Sequence, residues 1–276
     1  VMQGNRMVEN EKTCKEGFSV YNDLKGKTAI VTGSPKGIGK AIAERFGKEK
    51  MNVIINYHSD PAGAMETVDH IKQSGGNAHA VGADVSKEEG VKALLEAAVQ
   101  HFGTIDVMVN NSGFNGKSAL PHELSLDDWK KVIDVNLTGA FLGAKEAIRY
   151  MLEHGKKGSI LNISSVHQQI PRPTNVQYSA SKGGMKLLTE TLAINYAEKG
   201  IRINAIAPGT IATESNDDLE GSHKAAQLRK IPMNAFGTPE QVAQAAAWIV
   251  SDEASYVTGA TLFVDGGMTL YPSQLE

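Results

Sequence analysis

The stretch TAIVTGSPKGIGKAIAERFG, residues 28–47, passes from an apolar run through a glycine-rich turn into residues with helical apolar spacing. Gly33, Gly37 and Gly39 stand at the junction in the spacing GxxxGxG. Glycine allows tight turning and lets an anion approach the amides of a helix N-terminus, where the dipole favours negative charge. Among 28 glycines a triplet alone means little. Set between a strand and a helix, it predicts a pyrophosphate site of the dinucleotide kind, with Gly33, Ser34, Lys36, Gly37, Ile38 and Gly39 as its candidate contacts. No Lys-Ser or Lys-Thr follows the last glycine, which argues against a P-loop nucleotidase.

Outward from this turn, short β-branched runs alternate with longer helix-like stretches. Strands are expected at 28–32, 53–56, 79–85, 105–110, 159–164, 201–207 and 261–265. VIIN, VMVN and ILNI are near-continuously apolar, as strands covered on both faces are, so the fold class is α/β with a doubly wound parallel sheet. With 276 residues, 41% of them hydrophobic, the chain suits one large domain. Residues 1–23 are expected to be a flexible extension, 24–276 the domain, and the polar segment around 210–235 a lid over the crevice at the carboxyl edge of the sheet.

The second strand ends in NYHS, where a pocket selecting NAD would offer a carboxylate to the ribose 2′-hydroxyl. Tyr57 and His58 supply none, while Lys36 offers a cation for a 2′-phosphate. NADP is therefore favoured, with dual use of NAD and NADP left open. Asp84 is placed to accept from an adenine amino group, with Val85 packing on the ring. Asn111, in NNSG after the fourth strand, has two readings: a cofactor contact or an anchor for the turn.

The chemistry is expected at YSASKGG, residues 178–184. Tyr178 and Lys182 are four residues apart and share a helix face, and Ser165 closes the fifth strand. Oxidising a secondary alcohol needs a base for the hydroxyl proton. Free tyrosine, near pKa ~10, is too weak, but Lys182 and a positively charged nicotinamide would both favour its phenolate. Ser165 would hold the substrate oxygen. Asn136 is read either as the holder of a water behind Lys182 or as a backbone anchor. The same Tyr-x-x-x-Lys spacing at Tyr21 and Lys25 has no partner serine and is taken as coincidence.

TGSPKGIG, NNSG, Ser165 with YSASK, and the pair Pro208–Gly209 together resemble the short-chain dehydrogenase/reductase family over nearly all of Leu24 to Ser273. The resemblance implies a seven-stranded Rossmann-type sheet, a nicotinamide cofactor and a homotetramer. It implies catalytic roles for Ser165, Tyr178, Lys182 and Asn136, ribose binding by Lys182, and cofactor contacts from Gly113, Pro208, Gly209, Ile211 and Thr213. Ser112 departs from the family's usual NNAG. SSVHQQIPRP and YSASKGGMKLLTETLAINYA are most similar to the glucose 1-dehydrogenases, which oxidise β-D-glucose with NAD or NADP; carried over, His167 and Gln168 would line the sugar side of the pocket. The rival activities are a 3-oxoacyl-carrier-protein or general carbonyl reductase and, in another class, a non-catalytic dinucleotide sensor.

Composition narrows the remaining possibilities. A net charge of −3 without a long basic block argues against a nucleic-acid surface. No apolar run is long enough to span a bilayer, and VMQGNRMVENEKTCKEG lacks the apolar centre of a secretory signal. Cys14 is the single cysteine, which excludes an intrachain disulfide and favours a cytoplasmic setting. The eight histidines form no HExxH or similar ligand set, so no catalytic metal is expected.

Overall fold

The computed structural model describes residues 21–213 and 221–270. Cys14, residues 1–20 of the expected extension and residues 214–220 of the expected lid lie outside the described residues. The strands are β1 (Thr28–Val31), β2 (Asn52–Tyr57), β3 (Asn77–Gly82), β4 (Val107–Asn110), β5 (Gly158–Ile163), β6 (Ile201–Pro208) and β7 (Thr261–Val264). Between them run α1 (Gly37–Lys48), α2 (Pro61–Gln73), α3 (Glu88–Phe102), α4 (Leu126–Ile133), α5 (Gly139–Glu153), α6 (Val176–Tyr196), α7 (Gly221–Leu228) and α8 (Pro239–Val250).

All seven strands run parallel, in the order β3-β2-β1-β4-β5-β6-β7. The order reverses between β1 and β4, and the crevice at the carboxyl ends of strands beside such a reversal is where a ligand binds. Each strand sends alternate side chains to opposite faces. Ala29, Val31, Val53, Ile55, Val107, Val109 and Leu161 join one apolar layer with Ile42, Phe46, Val242 and Ala246 of α1 and α8. Ile30, Ile54, Met108 and Ile160 join the other, with Leu94, Ala144, Met151 and Ala193 of α3, α5 and α6. Both faces of the central strands are therefore covered, which is why their sequences are apolar without interruption.

All seven expected strands are present, with most limits shifted by one or two residues and the end of β3 by three. β3 ends at Gly82, short of the expected residue 85, because the chain turns at Asp84: the Asp84 carboxylate accepts from Ser86 N at 2.9 Å and from Ser86 Oγ at 2.7 Å. β4 starts at Val107 because the side chain of Asp106 caps the neighbouring strand, accepting from Thr28 N at 2.9 Å. Helix starts follow their capping residues. Asp60 and Pro61 open α2, Ser125 opens α4, and Thr238 with Gln241 forms a capping box ahead of α8. Among the described residues no helix is long and apolar enough to cross a membrane.

Candidate active site

The glycine turn between β1 and α1 is held by two neighbours, Asn56 and Asn111. Asn56 Oδ1 accepts from Gly33 N at 3.2 Å, the Asn56 carbonyl accepts from Ser34 N at 3.0 Å, and Asn111 Nδ2 donates to the carbonyls of Thr32 and Gly33 at 2.8 and 2.9 Å. Gly33 has φ +60°, the left-handed region that favours glycine. Gly39 is required for a different reason: a Cβ there would lie 2.4 Å from both the Gly33 carbonyl oxygen and Asn111 Nδ2. The first residues of α1 receive no side-chain cap from Lys36, so their amides are free to face an anion. The turn fits a dinucleotide pyrophosphate.

From this turn a cleft of about 630 Å³ extends along the carboxyl ends of β1 to β4, lined among others by Tyr57, His58, Asp84, Val85 and Lys131. A second lobe of about 280 Å³ shares Gly33, Lys36, Asn111 and Gly113 with it and continues to Ser164, Tyr178, Lys182 and Thr213. A larger cavity, about 890 Å³, lies at the opposite edge of the sheet; there Lys27 pairs with Asp252, and Arg202 donates to the Ile249 and Ser251 carbonyls. The two-lobed cleft is the one that joins the glycine turn to the phenol.

At the adenosine end Asp84 has one carboxylate oxygen occupied by Ser86. Burial pushes its pKa up, but the Ser86 bonds, with His58 and Lys87 nearby, outweigh it and hold the carboxyl below its ordinary value. Lys36 and His58 are exposed at the rim. Asp60 lines the same rim and has Oδ1 engaged by Gly63 N at the start of α2.

The chemical end is organised by α6, where Tyr178, Lys182, Met185, Thr189 and Ala193 recur at helical spacing and form an inward stripe. A buried chain of hydrogen bonds fixes that face to the sheet: Asn110 Nδ2 donates to Asn162 Oδ1, Asn162 Nδ2 to Thr189 Oγ1, and Thr189 Oγ1 to the Met185 carbonyl, at 2.9, 2.9 and 2.8 Å. Ser165, buried just beyond β5, accepts from His167 N at 3.2 Å and bonds to the Tyr178 side chain. Lys182 Nζ donates to the Ile163 carbonyl at 2.8 Å and lies 5.7 Å from the Tyr178 ring centroid. Burial brings the Lys182 pKa down to about 8.

Burial also raises the Tyr178 phenol above its ordinary value, against the Ser165 bond and the charge of Arg172, which both pull it down. Lys182, expected to favour the phenolate, directs its ammonium to the Ile163 carbonyl while lying 5.7 Å from the Tyr178 ring centroid. Arg172 went unnoticed in the sequence; its Cζ lies 5.7 Å from the same ring centroid.

Asn136 sits in a π-helical segment, Asp134–Thr138, between α4 and α5, a distortion frequent at functional sites. Its Oδ1 accepts from Phe114 N and its Nδ2 donates to the Phe114 carbonyl, both at 3.0 Å, and Nδ2 also reaches Ser181 Oγ at 3.2 Å. Asn136 and Asn111 both hold backbone through these contacts, as one of the two readings of each expects. His167 Nδ1 bonds the Ile170 carbonyl at 2.9 Å, and its ring meets Tyr178 edge-on at 6.0 Å; burial lowers its pKa. Both amide atoms of Gln168 are buried without a hydrogen-bond partner among the described residues. Pro208 ends β6, Gly209 N bonds the Val264 carbonyl, and Ile211 bridges to Gly237, so these residues carry the chain past the cleft toward Thr213. Asn56 was also missed: its side chain bridges the glycine turn, the third strand and the residue just beyond it, a role that only the adjacency of β1, β2 and β3 creates. Among the described residues no group of three His, Cys, Asp or Glu side chains is arranged to hold a metal.

Comparison with known proteins agrees with this geometry. The family described as Enoyl-(Acyl carrier protein) reductase matches residues 33–269. "Glucose 1-dehydrogenase 2" of Bacillus subtilis is 74% identical over 258 residues, 93% of this chain and 100% of that protein. "3beta-hydroxysteroid dehydrogenase 1" of Eggerthella lenta is 55% identical, over 92% of this chain and 97% of that protein. A solved structure from Agrobacterium tumefaciens with bound NADP, provisionally described as a 2-deoxy-d-gluconate 3-dehydrogenase, superposes with a TM-score of 0.82 at 34% identity, covering 90% of this chain and 98% of that one. Matches of this identity, running almost end to end through the glycine turn and the inward face of α6, establish that the chain belongs to the short-chain dehydrogenase/reductase family and is an NAD(P)-dependent oxidoreductase.

Proposed function

We propose that the chain oxidises a sugar hydroxyl, with β-D-glucose as the foremost substrate and gluconolactone as the product. The observation that carries this reading is the 74% identity to a glucose 1-dehydrogenase along that protein's whole length. Bound NAD(P)⁺ supplies the hydride acceptor. Tyr178 takes the hydroxyl proton, and Ser165 holds the substrate oxygen beside it. Lys182 faces the nicotinamide ribose, and Asn136 ties the loop at Phe114 to Ser181 of α6 beside it. His167 and Gln168 lie on the sugar side, and α7 with the residues after it covers the substrate.

The test is turnover of a sugar panel with each nicotinamide, alongside a 3β-hydroxysteroid and, with NADPH, an acetoacetyl thioester. Glucose is expected to be the best of these, and an inert glucose beside an active thioester or steroid would end this assignment. Lys36 is read as the contact for the 2′-phosphate. Lys36→Ala is expected to weaken NADP about tenfold more than NAD, the worth of one charge-assisted bond, in a fluorescence titration of each cofactor. Equal loss for both would assign Lys36 no part in the choice.

The domain reading extends the Rossmann-type unit from 24 to 276. Assembly as a homotetramer is supported by the apolar residues that α5 and α6 leave exposed, Phe141 and Leu152 on one and Leu187 and Ile194 on the other, and by β7, a partly exposed apolar strand at the edge of the sheet. Sedimentation equilibrium is expected to give four times the chain mass, and a monomer mass at micromolar concentration would contradict it. A cytoplasmic location is supported by the single cysteine.

A further inference from the structure

Arg172 lies between Pro171 and Pro173. A proline fixes its own φ and pushes the residue before it toward extended backbone, so this segment has little freedom. Its ends are also fastened to α6: Arg172 N donates to Ser179 Oγ at 3.2 Å, and its carbonyl accepts from Asn175 N at 3.4 Å. The half-buried guanidinium is thereby held over the ring of Tyr178, 5.7 Å from its centroid and within cation–π range. Among the described residues no ion pair involves Arg172. Its charge is therefore not neutralised by a neighbouring carboxylate.

The other groups facing the phenol are accounted for. Lys182, on the same helix, donates to the Ile163 carbonyl. From the turn after β5 come the Ser165 hydroxyl and the His167 ring, the latter with its Nδ1 on the Ile170 carbonyl and its pKa lowered first by burial and also by Arg172. Lys36 from the glycine turn and Thr213 from the segment after β6 line the same lobe of the cleft. Lys182 and Arg172 are equidistant from the ring, but they differ in permanence. Burial weakens the hold of Lys182 on its proton, whereas the guanidinium of Arg172 keeps its charge at any pH that ionises a phenol.

We propose that Arg172 is a positioning residue acting through Tyr178: its fixed guanidinium stabilises the phenolate and sets the pH above which the chain oxidises alcohols. The proposal rests on Tyr178 being the base. On oxidation the phenolate oxygen accepts the substrate hydroxyl proton while the carbon-bound hydrogen leaves with its electron pair for the nicotinamide. Arg172 exchanges no atom.

The test is the pH profile of kcat/KM for alcohol oxidation in the full chain and in Arg172→Met and Arg172→Lys, with Arg172→Gln as the second uncharged variant should the methionine form not fold. Removing a nearby cation raises the pKa of an acid, so the ascending limb is expected to move up by about one pH unit in the uncharged variants, with most of the displacement recovered by lysine. At pH 7 this is about a tenfold loss of kcat/KM that disappears on the alkaline plateau. Ultraviolet titration of tyrosinate, with Tyr178→Phe as the blank, is expected to show the same displacement without substrate. An unmoved limb and titration would overturn the proposal. So would a KM raised equally at every pH, which would make Arg172 a substrate contact. Full activity in Tyr178→Phe would instead overturn the assignment of the base, and the tyrosinate titration would still report on Arg172.

Discussion

Tyr178→Phe is expected to lower kcat for alcohol oxidation by roughly 10²- to 10⁴-fold, the usual worth of a positioned acid–base group. The phenyl ring keeps the shape that fills the space between His167, Arg172 and Lys182. What disappears is the oxygen that bonds to Ser165 and receives the proton. Cofactor affinity, measured by titration of nicotinamide fluorescence, should change little, and so should the melting temperature. The pH dependence of the parent chain carries the same signature. Burial raises the phenol above its ordinary value, so from the chain's own residues it is protonated at neutral pH, and oxidation gains rate as the pH rises toward that value. Reduction uses the protonated form and should lose rate over the same interval. A parent profile flat in both directions, or a Phe variant within tenfold of the parent, would remove Tyr178 from the chemistry.

Gly39→Ala is expected to destabilise the chain by about 1–3 kcal/mol, the cost of forcing a carbon into a packed site. The added carbon would lie 2.4 Å from a backbone carbonyl oxygen and 2.4 Å from Asn111 Nδ2, whose two bonds to Thr32 and Gly33 hold the turn. A backbone atom cannot yield as the end of a flexible side chain can, so the turn itself must open. For a domain of this size each kcal/mol moves the melting temperature by about 2–4 °C. Cofactor affinity should fall with it, since the amides proposed to receive the pyrophosphate belong to the displaced turn. Gly183→Ala supplies the control. Gly183 lies inside α6, and an added Cβ meets nothing within 4 Å. It should hold or slightly raise the melting temperature, because alanine favours helix by up to about 1 kcal/mol over glycine. Similar melting temperatures for the two variants would show that close packing at Gly39 does not constrain the turn.

The unequal legibility of the site residues follows from how each acts. Tyr178, Lys182 and the turn at residues 33–39 could be read because their partners are close in sequence: a helix sets four-residue spacing on one face, and a strand running into a glycine turn sets the anion site. Asn56 and Arg172 could not. Asn56 matters because β2 lies beside β1 and β3, and Arg172 because the proline-flanked loop folds back over the first turn of α6. The contact that holds Lys182 was hidden for the same reason. Its ammonium is claimed by a carbonyl at the end of β5, nineteen residues away.

The sequence by itself determined the α/β class, the seven strands, the glycine turn and the pairing of phenol with amine, because alternation, helical spacing and turn chemistry are local properties of a chain. Only the tertiary structure decided which cation stands free beside Tyr178 and which side chains brace the glycine turn. Those outcomes depend on burial and on competition for hydrogen-bond partners, which come into being once β1, β4, β5 and α6 are packed together.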